Sequence, residues 1–181
     1  LSQVLGYRDF YKHRFIVTHD VLDPRPDTET LIETALRAPF TRLLDLGTGS
    51  GCILLSLLAE QPAATGLGTD ISKAALDVAG QNATALGLTG RADFIQSNWF
   101  AKVTGQFDLI VSNPPYIAAS EMDDLQPEVR LFEPRGALTD EADGLSAYRI
   151  IACNTLSRLV TGGRLIFEIG PSQGAAVSAL L

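Results

Sequence analysis

The stretch Leu43-Leu44-Asp45-Leu46-Gly47-Thr48-Gly49-Ser50-Gly51 runs from a short apolar segment, through three alternate glycines, into a second apolar run starting at Cys52. A strand, a glycine-rich turn and a helix in that order form half of a βα unit. In open parallel sheets, ligands gather beyond the carboxyl ends of the strands, where such a turn lies. Glycine permits positive φ and lets the backbone approach a ligand, and the following helix start offers free N–H groups. The spacing is G-x-G-x-G with Cys52 in the sixth place, so it departs from the dinucleotide G-x-G-x-x-G. It also lacks the Lys-Ser/Thr pair of a P-loop. Asp45, at the end of the strand, suits a cationic ligand better than a pyrophosphate.

The same rhythm continues along the chain. Strands are predicted at 42–46, 64–69, 92–97, 107–112 and 164–169, and helices at 28–38, 51–60, 73–86 and 145–159. Alternation of this kind predicts an α/β fold, a mostly parallel twisted sheet with helices on both faces. Residues 116–142 are acidic and broken by Pro127 and Pro134, which predicts a long irregular excursion of the functional kind. Residues 1–26 read as a lead-in, a hairpin or interdomain segment, and 27–181 as the catalytic domain. Tyr7, Phe10, Tyr11 and Phe15 alternate with Arg8, Lys12 and Arg14. That pattern is expected to be a packed surface rather than a nucleic-acid stacking stripe. The chain starts at Leu1, stops within an apolar helix-like run, and offers five strands. It is therefore expected to be a C-terminally incomplete piece.

Composition narrows the function classes. The 181 residues carry 14 basic and 21 acidic side chains, a net charge of −7, which weighs against a surface built to grip phosphate backbones. Cys52 and Cys153, like His13 and His19, lack metal-ligand spacing, so no metal is expected. Neither a membrane span nor a secretory leader is predicted, and a monomer in the cytoplasm is expected.

Asp70 ends the second predicted strand, nineteen residues beyond Gly51. A ribose-binding carboxylate is expected about 20 residues after a glycine fingerprint. A nucleoside carrying a carboxylate and positive charge fits these features, and S-adenosyl-L-methionine is such a molecule. The strand 107–112 then leads into Asn113-Pro114-Pro115-Tyr116. Two prolines fix φ and remove donors, leaving a rigid stretch with free carbonyls. Asn113 adds an acceptor and a donor, and Tyr116 a flat wall. The combination suits a planar NH₂ group held by Asn113 and the Pro114 carbonyl, whose hydrogen bonds raise the density on its nitrogen as an N–C bond forms. Asp27 and Glu29 read as helix-start charges rather than an acid–base pair. Cys52 reads as a packing residue rather than a nucleophile.

Taken together, Asp45 to Gly51, Asp70 and Asn113-Pro114-Pro115-Tyr116 resemble an S-adenosylmethionine-dependent amino-methyltransferase of the class I, Rossmann-like type. The segment Pro24-Arg25-Pro26-Asp27-Thr28-Glu29 looks like the signature of protein-(glutamine-N5) methyltransferases, and the release-factor branch matches best. Phe132-Glu133-Pro134-Arg135, Asp143-Gly144-Leu145 and Phe167-Glu168-Ile169-Gly170 resemble its later blocks. The resemblance implies that Gly47, Thr48, Gly49, Ser50 and Gly51 line the cofactor's methionine part. It further implies that Asp70 binds the ribose and that Trp99 flanks the adenine. Asn113 is implied to touch both cofactor and substrate, with catalytic roles for Asn113, Pro114 and Tyr116, and Pro114, Pro115 and Tyr116 shape a glutamine slot. The implied substrate is the Gly-Gly-Gln loop of class I peptide chain release factors. The alternative from the same N-P-P-Y motif is an N6-adenine DNA or guanine-N2 RNA methyltransferase. Asp23 and Asn98 depart from the family pattern, which usually has an aliphatic residue and an Asp there.

Overall fold

A computed structural model describes residues 2–181. The helices are α1 (Ser2–Leu5), α2 (Glu29–Ala35), α3 (Cys52–Glu60), α4 (Lys73–Ala85), α5 (Pro127–Phe132), α6 (Arg135–Leu138), α7 (Ser146–Thr155) and α8 (Gly174–Ser178). The strands are β1 (Tyr7–Phe10), β2 (His13–Ile16), β3 (Arg42–Leu46), β4 (Thr65–Asp70), β5 (Ala92–Gln96), β6 (Phe107–Ser112) and β7 (Leu159–Phe167). The last five form one sheet in the order β5-β4-β3-β6-β7, and every neighbouring pair is parallel. The order reverses beside β3, so the carboxyl ends of β3 and β6 open a crevice at the switch point.

Side-chain alternation explains why both faces are covered. Leu43, Leu109 and Val111 point to a core shared with α2 and α3. Leu44, Leu46 and Ile110 point the other way, to a core with Phe100 and Ile151 of α7. The antiparallel pair β1–β2 inserts Phe10 and Phe15 into the first of these cores. Asn82 of α4, fully buried, ties that hairpin to the glycine turn. Its Oδ1 accepts from Ile16 N at 2.7 Å, and its Nδ2 donates to the carbonyls of Ile16 and Ser50 at 3.0 and 2.9 Å.

Four boundaries depart clearly from the sequence reading. The helix predicted over 145–159 ends at Thr155, and Leu159 already belongs to the last strand. The helix predicted over 28–38 stops at Ala35, because Arg164 donates to the carbonyls of Ala35 and Ala38 from outside the helix. The final strand starts at Leu159 and passes through Gly162-Gly163. The register slips between Phe107 and Leu109, and Gly162 takes φ +79° there. Residues 116–142, expected to be irregular, hold a 3₁₀ turn at Ala119–Asp124 and the short helices α5 and α6. The prolines that looked like breakers sit where helices tolerate them, Pro127 in the first turn of α5 and Pro134 as the N-cap of α6.

Candidate active site

The glycine turn is wound tightly because Gly47, Gly49 and Gly51 all adopt positive φ, at 70°, 54° and 78°. That conformation costs other residues about 1–2 kcal/mol each. Thr48 pins the turn to the sheet: its N–H donates to Thr69 O at 2.8 Å and its hydroxyl to Asp45 Oδ2 at 2.6 Å. Asp45 is fully buried, and that burial pushes its carboxyl up to about 7 against the opposing bond from Thr48. It braces the turn from beneath and does not line the cavity. The expectation that it meets a cationic ligand is corrected by strand parity, since Asp45 shares its face with Leu43, under α3.

Asp70 joins two strand ends. Its Oδ2 accepts from Gly49 N and its Oδ1 from Ser72 N, both at 2.9 Å. Burial raises the carboxyl above its ordinary range, and the two N–H groups work against that shift. Trp99 also takes positive φ, 49°, a strained state for an aromatic residue that marks a place the fold has built deliberately. Ser97 holds it there, donating to Trp99 O at 2.9 Å while accepting from Lys102 N at 3.0 Å. Its ring lies over Gly47, 3.9 Å from where a Cβ would stand.

These groups surround a cavity of about 570 Å³. Gly47, Thr48, Gly49, Ser50, Asp70, Trp99 and Asn113 all line it, as do Asp23 and Asn98. Gly51 does not. A Cβ there would press on Leu55 and Ala79 at 3.1 and 3.2 Å, so this glycine serves the close approach of α3 to α4. Sequence reasoning missed the second wall, formed by Ile71 and Ser72, by Pro134, Gly136, Ala137 and Thr139 to Glu141, and by Ser146 and Ile150. The acidic excursion carries much of that wall, folded back over the crevice. Glu133 latches it, accepting from Asp23 N at 3.0 Å and from Arg25 Nη2 at 3.1 Å. Cys52 lines the cavity too, but burial raises its thiol to about 12, which leaves it an inert wall.

A second cavity of about 140 Å³ lies alongside, lined by Leu22, Arg25, Asn113, Tyr116, Ile117, Val129, Ala137, Leu138 and Glu168. Asn113 therefore stands at the junction of the two spaces. Pro115 faces the larger and Tyr116 the smaller, whereas Pro114 is buried and lines neither. Among the described residues no hydrogen bond uses the Pro114 carbonyl, so it is free to accept. Asn113 Nδ2 donates to Thr28 Oγ1 at 3.2 Å, and Thr28 donates to Glu168 Oε2 at 2.6 Å. Thr28 and Glu168 were not singled out individually in the sequence, although both fall within blocks that carry the family resemblance.

The residues present fit S-adenosyl-L-methionine. The buried Ser50 hydroxyl has no partner in the protein and lies on the larger cavity, where a ligand carboxylate at the start of α3 would take it. Asp70 keeps lone pairs for ribose hydroxyls, and Trp99 offers a face for a purine. Among the described residues no cluster of His, Cys, Asp or Glu could hold a metal ion, and no helix is long and apolar enough to cross a membrane.

The strand order, the switch-point crevice and the glycine turn define a class, the Rossmann-like methyltransferases. Comparison with known proteins agrees. The family model of the methyltransferase small domain matches residues 8–133. A release factor glutamine methyltransferase of Cereibacter sphaeroides is 57% identical, over all of this chain and 65% of that protein. One of Bordetella pertussis is 48% identical, over all of this chain and 68% of that protein. Among solved structures, a ribosomal protein L11 methylase of Lactobacillus delbrueckii subsp. bulgaricus is 26% identical. It superposes with a TM-score of 0.61, covering 97% of this chain and 77% of that one. The chain belongs to the methyltransferase small domain family, among the release factor glutamine methyltransferases. It spans only 57–65% of the length of several curated relatives, that of Cereibacter sphaeroides among them.

Proposed function

We propose that this chain carries out S-adenosyl-L-methionine-dependent methylation of a glutamine side-chain nitrogen, in the Gly-Gly-Gln loop of class I peptide chain release factors. The observation that carries the reading is Asn113, shared by a cofactor-sized cavity and a side-chain-sized slot. The glycine turn and Ser50 would hold the methionine part of the cofactor, Asp70 its ribose and Trp99 its adenine. When bound, the cofactor supplies a sulfonium methyl group open to a nitrogen lone pair. The chain's task is then to aim an amide nitrogen and to enrich it. Asn113 Oδ1, which no described residue engages, accepts an N–H of the substrate. That bond strengthens as the nitrogen becomes positive, so it favours the transition state over the ground state. Tyr116 and Ile117 wall the slot, and no side-chain base is needed because the nitrogen sheds its proton once the N–C bond has formed. We place this work in the cytoplasm, by a monomer with no stable hold on nucleic acid, in keeping with the net charge of −7.

The test is methyl transfer from labelled cofactor to release factor, ribosomal RNA and duplex DNA in parallel, with mass spectrometry of the modified peptide. Asn113→Ala should abolish transfer to the Gly-Gly-Gln peptide while cofactor binding falls less. Full activity in that variant, or label only in nucleic acid, defeats the reading.

A further inference from the structure

We propose that Thr28 and Glu168 are positioning residues that lock the side-chain amide of Asn113 in one of its two orientations, oxygen toward the slot. This rests on the reading above, in which Asn113 accepts a hydrogen bond from the substrate nitrogen. A threonine hydroxyl has one proton, and a carboxylate can only accept. Thr28 lies 2.6 Å from Glu168 Oε2, so its proton is committed to that carboxylate. Its oxygen is then left as an acceptor toward Asn113, and only the NH₂ end of the amide can answer it, at 3.2 Å. Burial pushes the Glu168 carboxyl above its ordinary range, and the bond from Thr28 works against that shift. The reversed amide would set a carbonyl oxygen against the Thr28 acceptor and aim an NH₂ group at the substrate's own NH₂. It would then hold a carbonyl oxygen and not the nitrogen to be methylated.

No other described side chain bonds the Thr28 hydroxyl. Thr28 is 2% exposed, so although it borders the larger cavity it is largely shielded from solvent. Its position is fixed by the 3₁₀ turn Pro26–Thr28, whose Thr28 N donates to Arg25 O at 3.1 Å. Glu168 is fixed by its own N–H on Ser112 O at 3.0 Å and by the buried Tyr148 hydroxyl on its carbonyl, also at 3.0 Å. Three segments far apart in sequence thus converge on one amide and set the direction of its dipole before substrate arrives.

Glu168→Gln is the discriminating variant, because it keeps the shape but adds a donor. The glutamine NH₂ can donate to Thr28, whose proton is then free to hold the Asn113 oxygen, favouring the wrong orientation. Thr28→Val deletes the relay, and Thr28→Ser restores the hydroxyl. In the full-length protein, kcat on release factor should fall by about tenfold or more in Glu168→Gln and in Thr28→Val, the worth of about one hydrogen bond. Binding of S-adenosylhomocysteine by calorimetry should stay within about twofold in Glu168→Gln, because Glu168 borders only the smaller cavity. Thr28→Ser should recover most of kcat, and the double variant should be little worse than either single one. Wild-type kcat in Thr28→Val, or a Thr28→Ser variant as impaired as Thr28→Val, overturns the proposal. So does a loss of kcat that merely tracks a fall in thermal stability and cofactor affinity. A wild-type protein inactive on release factor would instead overturn the substrate reading. The relay is then judged by the Asn113 NH₂ resonances, which should be protected from exchange in the wild type and exposed in Thr28→Val, and equal protection in both refutes it.

Discussion

Gly144→Ala tests whether the substrate slot is set by contacts remote from it. Gly144 has φ +75°, and a Cβ there would stand 2.3 Å from Tyr116 O and 2.9 Å from Gln173 Nε2. Gln173 is the clamp between these segments, donating to Tyr116 O at 2.8 Å and to Gly144 O at 3.2 Å, while its Oε1 accepts from Gly170 N at 3.0 Å. Opening the contact from 2.3 Å to the 3.0 Å that real Cβ atoms require moves the Tyr116 backbone by roughly 0.7 Å. The left-handed conformation costs alanine about 1–2 kcal/mol, and a broken clamp bond adds about 1 kcal/mol. The sum of about 2–3 kcal/mol lowers Tm by about 4–12 °C for a chain of this size. A reacting centre misplaced by about 1 Å can lose about 100-fold. So kcat/KM for the release factor peptide should fall by roughly 30–100-fold, with cofactor affinity within about twofold, because neither Gly144 nor Tyr116 lines the larger cavity. Gly162→Ala is the control: it has φ +79° with nothing within 4 Å. It should show the strain alone, about 2–8 °C in Tm, at unchanged kcat/KM. If both variants lose the same stability and Gly144→Ala keeps wild-type kcat/KM, Tyr116 is not positioned through this contact.

Asn82→Ala should cost about 2–4 kcal/mol, since it strands the buried Ser50 carbonyl and the half-buried N–H and carbonyl of Ile16. Urea unfolding reads the loss, and a cost under about 1 kcal/mol would show the hairpin and glycine turn to be independent. Trp99→Ala should weaken S-adenosylhomocysteine binding by about 10–100-fold, as removal of a base-stacking ring does, and unchanged affinity in calorimetry would remove the ring from the adenine site. Asp45 gives a pH signature. Its folded carboxyl titrates at about 7 against an ordinary 3.8, so between those values the native state holds a proton that the unfolded state has lost. Stability should therefore fall as pH rises from about 4 to 7, by at most about 4 kcal/mol. Asp45→Asn should flatten that limb and be the more stable form at pH 8, and parallel pH profiles for the two proteins would contradict it.

The sequence alone determined the architecture and picked out much of the lining of the larger cavity, because those signals are local. Strand–glycine–helix order, an acid at the end of the second strand and paired prolines after the fourth are each written within a few consecutive residues. Backbone sterics then leave few alternatives, as the positive φ of Gly47 and Gly49 shows. Tertiary structure decided what depends on parity and on distant partners. Strand alternation turned Asp45 under α3 and away from the ligand, and close helix packing made Gly51 a spacer. The acidic excursion became a wall of the cavity only because Glu133 meets Asp23 and Arg25 about 110 residues earlier in the chain. The relay of Asn113, Thr28 and Glu168 spans 85 and 140 residues. No local pattern encodes which hydroxyl will meet which carboxylate, because that pairing exists only once the sheet has brought the ends of β6 and β7 beside the turn before α2.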